Sequence, residues 1–411
     1  MSGRGQGPLA GVRVLDLTSV LMGPYTTQIF ADLGAEVIKV EGPDGDTTRY
    51  LPPGPDPSRG GMFLNVNRGK RSIGLDLKLA AARKALLALA ATADVFVHSM
   101  RAQAIERLGL DYAALRAVNP RLIYANLYGF GREGPYRDFP AYDDIVQAAS
   151  GLVHLQASLS KGEPTYIGTV IADKVAGLTG AYAIIAGLFA RERTGQGQEI
   201  EVPMFETLVS FTMVEHLCGS LFSPPCGPPE YSRVTSEARR PYHTLDGHIG
   251  VMIYNDKHWR SFFRAAGNPA WSAHPMFASM RSRTENIDAV LAQLAEVMAE
   301  RTTAEWLALF REHEIPAMAI ASPRDLLDDP HLVETGFWTE RETEAGRLRF
   351  PGIPTRFSET PGAIGDPGPM LGADSRSVLS EIGYTEDEID ALLESGALHG
   401  GSTASLAHSS L

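Results

Sequence analysis

The chain has 411 residues, 44% of them hydrophobic, and a formal net charge of −12 at pH 7; this is enough chain for two compact domains, or for one large domain with a smaller insertion. The acidic balance argues against a nucleic-acid partner, and no uninterrupted apolar run approaches the roughly 20 residues of a membrane span. Residues 1–8 lack the apolar core of a secretory signal, so we expect a cytoplasmic protein that contacts no membrane.

Strands and helices are predicted to alternate along the first third of the chain. Residues 12–17 are typical of a buried strand, and an apolar-periodic helix over 24–33 ends at Gly34. A second strand follows over 36–40, which completes a βαβ unit. Two more pairs follow, a helix over 79–92 before a strand over 94–98, and a helix over 112–118 before a strand over 122–127. This order predicts an α/β fold, a Rossmann-like parallel sheet with ligand sites beyond the carboxyl ends of its strands.

The remainder of the chain indicates a second, smaller α+β domain. A buried helix over 172–191 and a strand over 199–202 precede a segment rich in Pro and Gly over 223–240, which is typical of a domain connection. A hairpin around Asp246-Gly247 and amphipathic helices over 286–299 and 303–313, the second capped by Thr303, are predicted next. We therefore predict a large domain over 1–222, a linker and small domain over 223–330, a return to the large domain over 331–399 and a disordered tail over 400–411.

The densest basic cluster, Asn67-Arg68-Gly69-Lys70-Arg71-Ser72, precedes a predicted strand over 73–77. Such a turn can hold phosphate groups, and it can equally be a solvated turn. The turn after the first strand contains Gly23-Pro24 and no G-x-G-x-x-G fingerprint, which disfavours a dinucleotide-dependent dehydrogenase.

Asp173 stands at the start of the long apolar helix, where it can serve as a helix cap or as a reactive carboxylate. A helix N-terminus stabilises negative charge, so the position is expected to keep the group ionised at neutral pH and competent as a nucleophile. Tyr142, Asp143 and Asp144 follow a glycine-rich loop, and His98 ends a strand at its carboxyl end; each also has a structural explanation. Cys218 and Cys226 fit no tetrahedral ligand set, so no metal is predicted.

Five stretches in order along the chain, 9–43, 67–78, 93–110, 128–151 and 172–208, strongly resemble the family III CoA-transferases. Residues 301–316 are similar as well. The resemblance implies an enzyme in which Asp173 attacks an acyl-CoA and then carries coenzyme A as a thioester before a carboxylic acid receives it. It implies no ATP, metal or tightly bound cofactor, with coenzyme A as substrate, and an interlocked homodimer whose active sites form where large and small domains of both subunits meet.

The same resemblance assigns residues to the site. Tyr142 and Asp143 match positions that line its reacting end, and Leu21 stands where formyl-CoA transferases have a glutamine. The positions that the resemblance places against coenzyme A are Val20, Leu75, Lys78, Ser99, Met100 and Arg107, with Lys70 and Arg71 as further candidates for its phosphates.

Departures from the family pattern keep the substrate open. Ser99-Met100 replaces the usual Asn-Phe, and the run of glycines that closes over the site in formyl-CoA transferases is missing, so oxalate is not the expected acceptor. An acyl-CoA racemase of the same superfamily is an alternative, but it needs a second base and has a His where this chain has Tyr142. A non-catalytic CoA-binding protein is another alternative, which the presence of Asp173 disfavours. Residues of the small domain that are candidates to face the acceptor are His243, Tyr254, Asn255 and His258.

Overall fold

The computed structural model describes residues 6–160, 162–343 and 346–400. Its strands, in chain order, are β1 (Arg13–Leu17), β2 (Glu36–Glu41), β3 (Arg71–Leu75), β4 (Val95–His98), β5 (Ile123–Tyr128), β6 (Gln198–Pro203), β7 (Tyr242–His243), β8 (His248–Val251), β9 (Ala317–Ala319), β10 (Trp338–Thr343), β11 (Gly346–Pro351) and β12 (Leu398–His399).

Its helices, in chain order, are α1 (Met22–Asp32), α2 (Gly61–Val66), α3 (Ala80–Ala90), α4 (Ala102–Arg107), α5 (Tyr112–Val118), α6 (Asp143–Ala149), α7 (Leu152–Leu159), α8 (Ile171–Thr194), α9 (Met204–His216), α10 (Ser232–Thr235), α11 (Asp256–Ala265), α12 (Met280–Glu285), α13 (Ile287–Met298), α14 (Thr303–Glu312), α15 (Pro330–Glu334), α16 (Ser375–Glu381) and α17 (Glu386–Glu394). Short 3₁₀ helices cover Thr47–Tyr50, Cys218–Leu221, Ala270–Ala273, Pro275–Phe277 and Asp325–Leu327.

The chain divides into two compact units. The first contains the residues up to Val146, Val170–Leu208 and the residues from Val333; the second contains Gln147–Thr169 and Val209–Leu332. This division differs from the predicted domain boundaries, because the second unit also takes α7 and most of α9. The predicted large domain had included both helices, since helical periodicity alone does not say which core a helix packs against.

The first unit is built on a seven-stranded sheet in the order β12-β3-β2-β1-β4-β5-β6. The strands from β3 to β6 are all parallel, and only the edge strand β12 runs antiparallel, against β3. Strands β3, β4 and β5 are buried at every residue, as expected when helices cover both faces of a parallel sheet. The predicted α/β architecture is thereby confirmed, with strand order 3-2-1-4-5-6 as in doubly wound nucleotide-binding folds.

The predicted strands and helices of this unit are present, and one strand begins and ends two residues earlier than predicted. The strand predicted over 73–77 begins at Arg71 and ends at Leu75, where Arg71 pairs with Ile38 and Ser72 with Lys39. The basic turn therefore runs directly into the strand. A buried strand tolerates polar side chains when each of them forms a hydrogen bond or an ion pair. The hydrophobic pattern of the sequence does not show these partners, so it placed the start of the strand too late.

The second unit contains a small antiparallel sheet, β7-β8-β9, and a helical core. The hairpin predicted around Asp246-Gly247 is present as β7 and β8. The core of the second unit includes Trp259, Phe262 and Phe310, all of them buried. The predicted helix over 303–313 is also present, but Thr302, not Thr303, is its cap, in a reciprocal pair with Glu305.

The remaining segments return to the first unit. Strands β10 and β11 form an antiparallel hairpin, and α17 begins after the predicted Thr385 cap. The tail predicted to be disordered over 400–411 lies, from 401 onward, outside the described residues.

By length and composition alone, α8 is long and apolar enough to cross a membrane. Its small residues pack within the first unit, where it contacts α1, β5 and β6. Core helices of soluble proteins meet the same criterion, so α8 is weak evidence for a membrane span. The packing described below accounts for its composition.

Candidate active site

A pocket of about 730 Å³ opens at the carboxyl ends of β1, β2 and β3, beside the turn after β4. Open parallel sheets bind ligands at this edge, and the volume is in the range of small-molecule sites. The pocket is lined by residues 17–19, 40–46, 75–78, 100, 104, 107 and 108. Four of the predicted residues, Leu75, Lys78, Met100 and Arg107, are therefore brought together here.

Lys78 and Arg107 carry the exposed positive charge of this pocket. Within the described ranges, neither side chain forms an ion pair. Asp46, at the inner side of the pocket, is already neutralised by Lys39 at 3.0 Å. The two exposed cations are thus free to meet anionic groups of a ligand.

The turn after β1 is held in a strained conformation at the edge of the pocket. Val20 has a φ of 68°, which costs a β-branched residue roughly 1–3 kcal/mol. Its N–H donates to the two carboxylate oxygens of Asp46 at 3.2 and 3.3 Å, and the Ser19 N–H donates to Ser99 Oγ at 3.3 Å. The predicted residues Val20 and Ser99 therefore adjoin the pocket, beside Ser19, which lines it.

Lys70 and Arg71 are used inside the fold, so their predicted contact with phosphates is corrected here. Lys70 is buried and its Nζ lies 3.0 Å from Asp16 Oδ2; burial lowers its pKa to about 8 against the opposing charge of Asp16. Arg71 pairs with Glu36 and Glu381. The physical reason is position, because both residues stand at the amino end of β3 and the pocket lies at its carboxyl end.

Asp173 is the third residue of α8, partly buried. Its N–H donates to Asp143 Oδ1 at 3.1 Å, and Asp143 is buried at the start of α6. Tyr142 directly precedes Asp143, with 71% of its surface exposed. The three residues predicted at the reacting end of the site therefore lie together, at the first turns of α6 and α8.

The environment of Asp173 opposes its ionisation. Burial, and then the charge of Asp143, raise the pKa of the Asp173 carboxyl from 3.8 to about 6. Desolvation and a like charge therefore act against the stabilisation that the helix N-terminus gives to the ionised form. At pH 7 the ionised form still exceeds the acid about tenfold. Among the described side chains none donates a hydrogen bond to its oxygens, so they remain available to an electrophile.

Glycines on one face of α8 let this helix approach its neighbours closely. A Cβ at Gly177 would lie 2.8 Å from the Met22 carbonyl oxygen, and one at Gly180 would lie 3.0 Å from Thr26 Oγ1. Thr26 Oγ1 also donates to the Gly177 carbonyl at 2.8 Å. The N-terminal halves of α1 and α8 are therefore held against each other, which places Leu21, buried just before α1, at the same end of the helix pair as Asp173.

The small-domain candidates lie in the second unit and have local structural roles. Asn255 caps α11, accepting from the His258 N–H, and His258 Nδ1 accepts from the Tyr254 N–H at 3.4 Å. The rings of His243 and His248 contact each other across the hairpin at a tilted angle, with centroids 4.2 Å apart. These contacts give His243, Asn255 and His258 local structural roles, and a contact of the four residues with the acceptor stays a prediction.

Sequence reasoning missed the loop after β2, which supplies residues 42–46 of the pocket. The available signal was Gly42-Pro43-Asp44-Gly45-Asp46, a turn-forming run at the carboxyl end of a predicted strand.

Cys218 and Cys226 are free thiols. Across residues 6–160, 162–343 and 346–400, no cluster of three or more His, Cys, Asp or Glu side chains is arranged to hold a metal ion.

Comparison with known proteins gives consistent matches. A family model described as CoA-transferase family III matches residues 9–375. The succinyl-CoA:mesaconate CoA-transferase of Haloarcula marismortui is 33% identical over 390 residues, which cover 92% of this chain and 97% of the relative. The succinyl-CoA:glutarate CoA-transferase of Mus musculus is 33% identical, over 95% of this chain and 90% of the relative. The crystal structure of Rv3272 from Mycobacterium tuberculosis superposes with a TM-score of 0.79 at 32% identity, over 91% of this chain and 99% of that one.

Proposed function

The chain belongs to CoA-transferase family III, and on that premise we propose that it transfers coenzyme A from an acyl-CoA to a free carboxylic acid with the Asp173 carboxylate as covalent relay. One observation carries the proposal: Asp173 offers an ionised, poorly solvated carboxylate at the N-terminus of α8. A desolvated carboxylate with a raised pKa is a stronger nucleophile than a solvated one.

In the first half-reaction an Asp173 oxygen attacks the carbonyl carbon of the donor thioester. The carbon–sulfur bond breaks, coenzyme A leaves as a thiolate, and a mixed anhydride joins Asp173 to the donor acyl group. The thiolate then attacks the Asp173 carbonyl carbon and expels the donor acid as a carboxylate. Asp173 now carries coenzyme A as a thioester.

The second half-reaction repeats these steps in reverse order. The acceptor carboxylate attacks the Asp173 thioester, which releases the thiolate and forms a second anhydride. The thiolate attacks the acceptor carbonyl, so that the acceptor leaves as its CoA thioester and Asp173 returns as a carboxylate. Each step passes through a tetrahedral oxyanion, and the N-terminal end of α8 favours negative charge there. Bonds of similar energy are exchanged, so positioning is the main task of the protein.

For the coenzyme we propose the pocket at the strand ends. Lys78 and Arg107 supply charge to its phosphate groups, Met100 supplies apolar surface, and the buried Leu75 forms the wall behind that surface. Val20 and Ser99 shape the edge of the pocket through the turns that they hold.

For the substrates we propose succinyl-CoA as donor and a dicarboxylic acid as acceptor. The support is that relatives covering most of this chain are named for succinyl-CoA with mesaconate or glutarate. A panel of acids assayed against succinyl-CoA and acetyl-CoA tests this choice, and preference for a monocarboxylic acceptor would contradict it.

The relay is tested by trapping. The protein is incubated with succinyl-CoA and then with hydroxylamine or borohydride, and peptides are analysed by mass spectrometry. We expect modification at Asp173 in the parent protein and in Asp144→Asn, an exposed neighbouring acid, and none in Asp173→Asn. Label on another residue, with Asp173 unmodified, would refute the mechanism.

We further propose a cytoplasmic homodimer, interlocked as the family resemblance implies. Support comes from one side of α8 that faces solvent with large apolar residues. Leu178, Tyr182 and Phe189 have 49%, 64% and 60% of their surface exposed. A second copy of the chain would cover such a stripe.

A further inference from the structure

His98 is the last residue of β4 and stands directly before the turn that lines the pocket. Its side chain is completely buried, and the Met100 N–H donates to its Nδ1 at 3.2 Å. Met100 lines the pocket, and Ser99 accepts the hydrogen bond from Ser19 on the opposite turn. Among the described residues, the His98 imidazole is therefore the one side chain that forms a hydrogen bond with the backbone of the Ser99–Met100 turn.

The hydrogen-bond partners of His98 define its tautomer. Since Nδ1 accepts from Met100, the proton resides on Nε2, which donates to Asn126 Oδ1 at 2.8 Å. Asn126 Oδ1 also accepts from the Tyr128 hydroxyl at 2.9 Å, and its Nδ2 donates to Glu199 Oε1 at 2.9 Å. Burial lowers the pKa of His98 to about 4, so the ring is neutral at physiological pH.

This network crosses three neighbouring strands, from the carboxyl end of β4 to the amino end of β6. It begins at the turn after β4, passes through Asn126 on β5, and reaches Glu199 on β6. Glu199 in turn accepts from Arg132 at 2.6 Å, in the loop between β5 and the first turn of α6. The ring thus has fixed partners on both nitrogens and little freedom to rotate.

We propose that His98 is a positioning residue for coenzyme A, which holds the Ser99–Met100 turn in its ligand-binding conformation by accepting the Met100 N–H. The inference rests on the proposed function and names a residue that acts through the turn and does not touch the reacting atoms. Loss of the acceptor leaves a backbone N–H unpaired at the pocket wall, so the turn relaxes and the acyl-CoA binds less tightly.

Two substitutions test the roles of the His98 ring nitrogens, Nδ1 and Nε2, separately. In His98→Asn the amide oxygen takes the place of Nδ1 and still accepts from Met100, while in His98→Gln the amide takes the place of Nε2 and loses that bond. We expect His98→Gln to raise the KM for acyl-CoA about tenfold, with kcat and the KM for the acceptor acid within about twofold of the parent values. His98→Asn should restore most of the lost affinity.

His216→Gln is the matched control, because His216 is also buried and its Nδ1 accepts from the Tyr231 N–H at 3.3 Å, in the second unit. The KM for acyl-CoA should not change in this variant. Equal KM values for His98→Gln and the parent, or an equal rise in His216→Gln, would overturn the inference. Nitrogen NMR of the parent protein adds a readout that needs no activity, since a protonated Nδ1 on His98 would also overturn it. If the parent transfers no coenzyme A, the proposed function fails, whereas the NMR result still decides the tautomer.

Discussion

Asp173 combines two opposing influences at one carboxyl group, the helix N-terminus that favours its charge and the burial beside Asp143 that disfavours it. The raised pKa of about 6 means that the nucleophilic form is lost as pH falls through this value. We expect kcat/KM for the acyl-CoA to fall about tenfold per pH unit below this point. The Asp143→Asn variant should move the inflection to lower pH, because the like charge is removed. A flat profile down to pH 4.5 in the parent protein would contradict this assignment.

The same pKa shift has a consequence for stability. The folded protein holds the Asp173 proton more tightly than the unfolded chain, whose carboxyl has its ordinary pKa of 3.8. Stability is therefore lost as pH rises from about 4 to 6, and the cost is fully present at pH 7. Asp173→Asn removes the buried charge, so we expect it to raise the free energy of unfolding by roughly 1–3 kcal/mol at pH 7.

Thermal melts at pH 7 and pH 4 check this prediction. The stabilisation by Asp173→Asn should shrink at pH 4, where the carboxyl of the parent is protonated in the folded state. Asp144→Asn, at an exposed position, should leave the melting temperature nearly unchanged at both pH values. A lower melting temperature for Asp173→Asn at pH 7 would show that the carboxylate stabilises the fold as a cap.

At the scale of elements, α8 depends on small residues at its buried face. Replacing glycine by alanine inside a helix normally stabilises it by up to about 1 kcal/mol. Gly177→Ala should instead destabilise the protein by roughly 1–3 kcal/mol, because the new methyl group would lie 2.8 Å from the Met22 carbonyl. Ala292, exposed in the interior of α13, is the control: Ala292→Gly should lower stability only by the difference in helix propensity between alanine and glycine. Urea unfolding of both variants measures the difference, and stabilisation by Gly177→Ala would contradict the packing described.

At the scale of the whole molecule, a net charge of −12 repels an anionic ligand, so local cations must supply the attraction. Lys78→Ala and Arg107→Ala should each raise the KM for acyl-CoA about tenfold and leave folding unchanged. High salt should also raise the KM of the parent protein for acyl-CoA.

Lys70→Ala should instead destabilise the fold by roughly 3–5 kcal/mol, because Asp16 is left buried without its partner. A folded Lys70→Ala protein with a selective loss of acyl-CoA affinity would restore the phosphate role that the basic cluster suggested.

The exposed apolar side of α8 also bears on assembly. We expect sedimentation or light scattering to give the mass of a dimer, twice 44.4 kDa. Phe189→Glu places a charge on the stripe and should shift the distribution toward monomer or reduce the yield of folded protein. Phe139→Glu, at an aromatic position with 57% of its surface exposed outside this helix, is the comparison. A monomeric parent at micromolar concentration would contradict the dimer.

The alternation of strands and helices was predictable from the sequence pattern, whereas the family and the grouping of Tyr142 and Asp143 with Asp173 followed from the resemblance to family III CoA-transferases. Periodicity, caps and turn residues act over a few positions, so they are visible without the fold. The carboxyl ends of parallel strands necessarily meet at one edge, which is why Leu75, Lys78, Met100 and Arg107 converge on one pocket.

Only the tertiary structure decided which charged residues are available to a ligand. Arg71 and Glu381 are 310 positions apart in the chain and form two hydrogen bonds, and Lys70 reaches Asp16 across 54 positions. The pKa of Asp173 likewise depends on a carboxylate that stands 30 positions earlier. A charge takes its properties from its distance to other charges and to water, and these distances exist only once the chain has folded.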